Sequence, residues 1–286
     1  MPKTLLIVLL ATLLSSAARA DVEIVTTIKP LQLIAQAVVG EHGEVSSILA
    51  PEQSPHHFTM SPSDRIALAR ADMTLWIGPS FETFLSDFFG QANIKAKSIT
   101  ALALPQLRLH TLSDGQTDAH LWLDSDNAAI IAEAVMHRAA QLDPENADAF
   151  SSNLASLREE LAESKARIAA RLQAPSDRGY AVYHNAYQYF ERQFGLQHGM
   201  VILRDPETQP SIRQIVALRA DVKARQPACV LLEFDSSEEL LRTVLDGFET
   251  TLVTVDLLGS EVSTNTGAYT EFLSNIADDF YRCLYQ

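Results

Sequence analysis

Three histidines and one aspartate are the residues through which this sequence could do chemistry. His56 stands in the loop of "APEQSPHHFTMSPSD", His120 in "TDAHLWLDSDN", His184 at the end of "YAVYHNAY" and Asp256 at the end of "TLVTVDLLG". His56 follows a run that reads as a strand, His184 and Asp256 close strands, and His120 stands just before a helix. In open α/β sheets, ligands bind at loops beyond the carboxyl ends of the strands. Three neutral imidazoles with one oxygen ligand suit a near-tetrahedral Zn²⁺ site, whereas Mn²⁺ favours more carboxylate oxygen and fewer nitrogens. The even spacing of the three histidines carries no weight, because their flanking motifs differ.

Plainer readings stand beside this one. His120, followed by Leu121, Trp122 and Leu123, reads equally as a core histidine, and His184 among Tyr183, Tyr187 and Tyr189 as aromatic packing. Asp256 could simply cap a strand-to-helix turn. His57 repeats His56, and His42, His137 and His198 are isolated and receive no role. His110, Asp114 and Asp118 in "LHTLSDGQTDAH" read as a solvated loop rather than a weak metal site. The sequence has no H-E-x-x-H, no G-x-S-x-G and no phosphate-cradling G-x-x-x-x-G-K. A three-histidine zinc site with an open position can still activate water, so a secreted zinc hydrolase stays open on ligand types alone.

The elements that must position these residues alternate. Strands are expected at VEIVTTIKP, EVSSILA and MTLWIG, with helices at LQLIAQAVVG, at SPSDRIALARAD and from about residue 82 to 89. Ser61 is the expected N-cap of the second helix, with Pro62 at its first position and Asp64 in its first turn. A helix from about 127 to 141 leads to Asp143-Pro144. Residues 145 to 172 then run without Gly or Pro, rich in Ala, Leu, Glu and Arg. As one helix this stretch would be about 40 Å long, enough to join two lobes. Beyond it the alternation resumes with strands at GYAVYH, MVIL, ACVLLEF and TLVTVD, and helices near 187–194, 211–224, 237–248 and 269–284. The predicted fold is therefore α/β: an N-terminal parallel-sheet lobe over 21–144, a linking helix over 145–173 and a second lobe over 174–286, with the metal site in the cleft between the lobes.

Composition sets the surroundings. Residues 1–20, MPKTLLIVLLATLLSSAARA, read as a cleaved secretory leader, with Lys3, an apolar run and an A-x-A site. No cysteine follows the cleavage point to take a lipid, and the remainder has no run long enough to span a membrane. The net charge is −14, and loss of Lys3 and Arg19 with the leader makes it about −16. Such a chain is a poor candidate for nucleic acid or anionic lipid, which select basic patches. Two cysteines, Cys229 and Cys283, in an exported chain favour one disulfide.

These motifs resemble the periplasmic zinc-binding proteins of high-affinity zinc ABC transporters, the ZnuA type of metal solute-binding protein. The resemblance spans the chain after the leader, through "SPHHFTMSPSD", "ADMTLWIGPSFETFL", "AHLWLD", "GYAVYHNAYQYFERQFGL", "PETQPSIRQI", "ACVLLEFD", "VDLLG" and "FYRCLYQ". It implies that His56, His120 and His184 are the zinc imidazoles, that His56 rather than His57 is the first ligand, and that Cys229 and Cys283 pair. Pro55 stands where some relatives have a carboxylate ligand, which leaves Asp256 or a water for the fourth position. His57 and Asn185 are expected behind the ligands. Asn185 stands where many relatives have Asp, and the His-rich loop of zinc members is here the short "HTLSDGQTD".

The expectation is a monomeric, non-enzymatic periplasmic protein that captures Zn²⁺ and hands it to an inner-membrane ABC permease, with affinity falling as pH drops through the histidine range. A Mn²⁺ or Fe²⁺ carrier of the same class is the nearest alternative. A surface adhesin is disfavoured by the leader without a lipid-attachment cysteine.

Overall fold

The structure is a computed structural model that describes residues 21–50, 53, 55, 58–173, 179–203 and 208–286. The leader expected over 1–20, together with His56 and His57, lies outside the described residues. The N-terminal lobe comprises β1 (Val22–Thr26), α1 (Lys29–Val39), β2 (Gly43–Ser47), α2 (Pro62–Arg70), β3 (Met73–Trp76), α3 (Ser86–Phe89), α4 (Ala92–Lys95) and β4 (Ser98–Thr100). α5 (Ser125–Leu142) and α6 (Ala147–Leu172) follow. The second lobe contains β5 (Tyr180–Val182), α7 (Gln188–Phe194), β6 (Met200–Val201), α8 (Ile212–Arg225), β7 (Cys229–Leu232), α9 (Glu238–Leu245), β8 (Thr251–Thr254) and α10 (Ala268–Tyr285).

Among the described residues, each lobe holds a four-stranded, wholly parallel sheet, ordered β2-β1-β3-β4 and β6-β5-β7-β8. The two orders are the same pattern repeated. In both sheets the strands before the two central crossovers, β1 and β3 or β5 and β7, lie side by side, so their carboxyl ends open onto one crevice. β3 and β7 are buried at every position, as parallel strands covered by helices on both faces must be.

Local chemistry sets the ends of the helices. At α2, the Ser61 hydroxyl accepts from the Asp64 amide and the Ser61 amide donates 2.7 Å to Asp64 Oδ2, a closed capping box with Pro62 at the first position. At α8, Ser211 and Gln214 form the same reciprocal pair. The run from about 82 to 89, expected as one helix, is instead a 3₁₀ turn over Thr83–Leu85 followed by the short α3. β4 and α4 escaped sequence reading, because three or four residues hold too little periodicity to register.

The helix α6 spans about 39 Å at 1.5 Å per residue and turns Phe150, Leu154, Leu157, Leu161, Ile168 and Leu172 to one buried face. That stripe packs against α5, α1 and α10, so elements from both ends of the chain share the helix. The largest hydrophobic cluster runs from Ile24 and Leu75 in the first lobe to Val182 and Leu231 in the second without interruption. Two smaller clusters close the outer faces, one around Trp76 and Phe89 and the other around Val222 and Val244.

Cys229 at the start of β7 is bonded to Cys283 in α10, with Cα atoms 5.6 Å apart, tying the second sheet to the terminal helix. The cross-link closes a long loop and so restricts the unfolded chain. Replacing both cysteines with alanine is expected to lower stability by about 2–4 kcal/mol, read as a lower urea midpoint together with a steeper slope, because the released unfolded chain exposes more surface.

Candidate metal centre

His120 sits in a turn just before α5. The Asp124 side chain caps that helix, accepting from the amides of Asp126 and Asn127, and this fixes the chain through Leu121–Leu123. The side chain of Asp118 folds back on the same turn. Its Oδ1 receives the His120 amide at 3.0 Å and lies 2.8 Å from His120 Nδ1. Asp118 is fully buried, and the Tyr189 hydroxyl donates to its backbone carbonyl at 2.7 Å.

His184 lies just past β5 in the other lobe, its Nδ1 3.1 Å from Glu233 Oε2 at the end of β7. The Tyr187 hydroxyl donates to the other Glu233 oxygen, and Ser236 Oγ donates to Oε2 while accepting from the Glu233 amide. With both Nδ1 atoms turned to carboxylates, the two Nε2 atoms face one another at 3.5 Å. Both imidazoles are 8% exposed, so they meet at a nearly closed point between the lobes. Burial works to lower the pKa of His184, but the charge and hydrogen bond of Glu233 outweigh it and leave the group above the ordinary histidine value.

Asp256 is half-buried. Its carboxylate accepts from Leu258 N at 3.1 Å, Ser260 Oγ at 2.7 Å and Glu261 N at 3.4 Å, which shapes its own loop. The next residue links that loop to the His120 turn: the Trp122 indole N–H donates 3.0 Å to the Leu257 carbonyl. The Tyr269 hydroxyl returns a bond to the Trp122 carbonyl, and Lys29 reaches the Ser260 carbonyl at 3.1 Å. Among the described residues no group of three or more His, Cys, Asp or Glu side chains gathers as a metal site; His56 is not among those residues.

The residues that hold the imidazoles, Asp118 and Glu233, were missed by sequence reasoning. Asp118 was absorbed into a loop read as solvated. Glu233 had one available signal, an acid closing the otherwise apolar strand ACVLLEF. Asn185 is half-buried, and its Oδ1 has no hydrogen-bond partner; it lines a polar cavity of about 450 Å³ together with Glu191 and His198. His110 packs against the Tyr189 ring at 4.6 Å, and burial holds its pKa below the usual histidine value.

A further carboxylate, Glu82, is 1% exposed near the ends of β1 and β3. It accepts from the amides of Ile77 and Gly78 and from the Thr27 hydroxyl, yet burial still pushes it up to about 7. A carboxyl with a folded pKa above its unfolded one contributes stability fully below the unfolded value, near 4.5, and loses it as pH rises through about 7. The stability gained by Glu82→Gln over the natural chain should therefore grow between pH 5 and pH 8, by on the order of 3 kcal/mol. Thermal unfolding of both proteins across that range measures it.

Two parallel-sheet lobes on a shared long helix, with paired imidazoles where the lobes meet, define a bilobed solute-binding protein. The family described as Zinc-uptake complex component A periplasmic, ZnuA, matches residues 24–283. The chain belongs to the ZnuA family. The high-affinity zinc uptake system protein ZnuA of Brucella abortus (strain 2308) is 29% identical over 313 residues, covering 94% of each chain. A crystal structure of ZnuA matches with a TM-score of 0.79 at 22% identity, over 92% of this chain and 99% of that one. The SBP FpvC from Pseudomonas aeruginosa, solved in complex with Mn²⁺, shares the fold at a TM-score of 0.79 and 20% identity, over 92% of this chain and 98% of its own.

Proposed function

We propose that this chain captures Zn²⁺ between its lobes and delivers it to an ABC permease in the inner membrane. The ion is cargo and undergoes no reaction; the work of the protein is capture and release. In this reading the leader over residues 1–20 is cleaved and the mature chain acts as a periplasmic monomer. No helix among the described residues is long and apolar enough to cross a membrane, which fits a carrier that must meet its permease from outside.

One observation carries the reading: two buried imidazoles from different lobes face each other through Nε2 at 3.5 Å, each backed at Nδ1 by a carboxylate. Two nitrogens on one tetrahedral zinc at about 2.0–2.1 Å stand about 3.3–3.4 Å apart. A carboxylate on the far nitrogen selects the tautomer that offers Nε2 and makes it more basic, a common arrangement behind zinc-bound histidine. Histidine nitrogens also suit zinc better than the harder Mn²⁺. His56 is the proposed third imidazole, supplied by the loop that precedes the Ser61 cap of α2. The fourth position falls to Asp256 or to a water.

Calorimetric zinc titrations of the mature protein test this. His56→Ala, His120→Ala and His184→Ala should each weaken binding at least about 100-fold, and unchanged affinity in all three would end the proposal. Asp256→Ala separates its two roles, since a ligand costs about tenfold or more while a loop residue beside a water ligand leaves affinity nearly intact. Asp118→Asn and Glu233→Gln keep shape and remove charge behind the imidazoles. Each should weaken zinc by about 10–100-fold, read by competition with a chromophoric chelator.

A further inference from the structure

We propose that Phe81 sets the metal preference of the centre by walling the His120 side of it against additional water. The inference rests on the zinc reading above and goes beyond it, to the residue that keeps the coordination number low.

The position of Phe81 is built into the fold. Gly78 turns the chain at the end of β3 with φ +145°, and a Cβ there would come within 3.3 Å of Leu102 and Thr100 side-chain atoms. The Gly78 carbonyl then accepts from both the Phe81 and Glu82 amides at 3.0 Å. Glu82 closes the turn from inside: its carboxylate takes the Gly78 amide at 2.8 Å, the Ile77 amide at 3.2 Å and the Thr27 hydroxyl. The ring that this turn presents is 7% exposed.

The ring lies against the candidate ligand. Phe81 meets the His120 imidazole edge-to-face at 5.8 Å and Trp122 at 5.3 Å, and Trp122 stands 5.2 Å from the same imidazole. His120 thus carries a carboxylate on Nδ1, another imidazole across from Nε2 and two hydrocarbon rings beside it. A metal-bound water needs volume and polar partners, and an aromatic wall supplies neither. Zn²⁺ accepts four ligands and is indifferent to the loss of further water, whereas Mn²⁺ calls for a fuller, oxygen-rich shell. The wall therefore penalises Mn²⁺ more than Zn²⁺. Trp122 shares this wall but also bonds to Leu257 and Tyr269 across the lobes, so the wall is tested at Phe81, whose side chain is hydrocarbon alone.

The experiment loads mature natural protein, Phe81→Ala and Phe81→Leu with Co²⁺ and records the visible d–d bands, which are intense for four-coordinate and weak for six-coordinate cobalt. Zn²⁺ and Mn²⁺ affinities are measured on the same samples. The natural protein and Phe81→Leu should give intense bands. Phe81→Ala should give weakened bands and a Zn²⁺-to-Mn²⁺ affinity ratio lowered about tenfold. Intense bands and an unchanged ratio in Phe81→Ala overturn the proposal, as does a weak, six-coordinate spectrum from the natural protein. If Phe81→Ala fails to fold by circular dichroism, Phe81→Val is read against the same two outcomes. Natural protein that binds no zinc would overturn the zinc reading, and this proposal with it, before any variant is compared; an unaltered Phe81→Ala overturns this proposal alone.

Discussion

A hydrogen bond to the far nitrogen of an imidazole fixes both its tautomer and its aim. His120 and His184 come from separate lobes, and each is aimed by a buried carboxylate: Asp118 through Nδ1 of the first and Glu233 through Nδ1 of the second. Those contacts, together with the packing around each buried ring, fix the orientation in which the Nε2 atoms meet at 3.5 Å. The rest of the molecule makes two buried acids tolerable. Glu233 is satisfied on both oxygens by the Tyr187 and Ser236 hydroxyls, whereas Asp118 is satisfied on Oδ1 by amide and imidazole while its Oδ2 has no hydrogen-bond partner.

Aim also requires that the lobes keep their distance. A hydrophobic cluster that runs through both sheets, with α6 along its length, resists any wide opening, because opening would expose Phe150, Leu157 and their neighbours to water. Polar latches act nearer the site. Trp122 is bonded on two sides to the second lobe, through Leu257 and Tyr269, and it stands two residues from His120. Tyr189 reaches back from α7 to the Asp118 carbonyl, so the residue that aims His120 is itself held by the opposite lobe.

The legible parts of the sequence were those governed by local rules. The two capping boxes, the alternation of apolar strands and helices, and the uninterrupted run that became α6 are each decided by residues within a few positions of one another. That His120 and His184 meet in the crevice was also legible, since a histidine just beyond a strand or just before a helix points to the crevice of an α/β lobe; their part as ligands belongs to the proposed function. Asp118 and Glu233 were not. Their part in the site depends on distances between chain segments that no local pattern encodes, and Glu233 looks in sequence like the polar end of a strand. β4 was too short to leave a period, and the 3₁₀ turn over Thr83–Leu85 that replaces the first part of the expected helix begins just after the buried Glu82.

The carboxylates that aim the imidazoles also decide what competes for them. Burial alone would make His184 reluctant to take a proton, yet Glu233 reverses that and raises its pKa. Under the proposed function, the field of Glu233 that would favour a dication beside His184 also favours a proton there, so an ion taken up must displace it. A stronger carboxylate field would tighten every dication alike, so it cannot by itself improve the choice of one divalent metal over another. That choice must come from the number of ligands, their geometry and the room left for water. On the reading proposed for Phe81, the room for water is set on the aromatic side of His120, where Phe81 and Trp122 leave hydrocarbon against the ring.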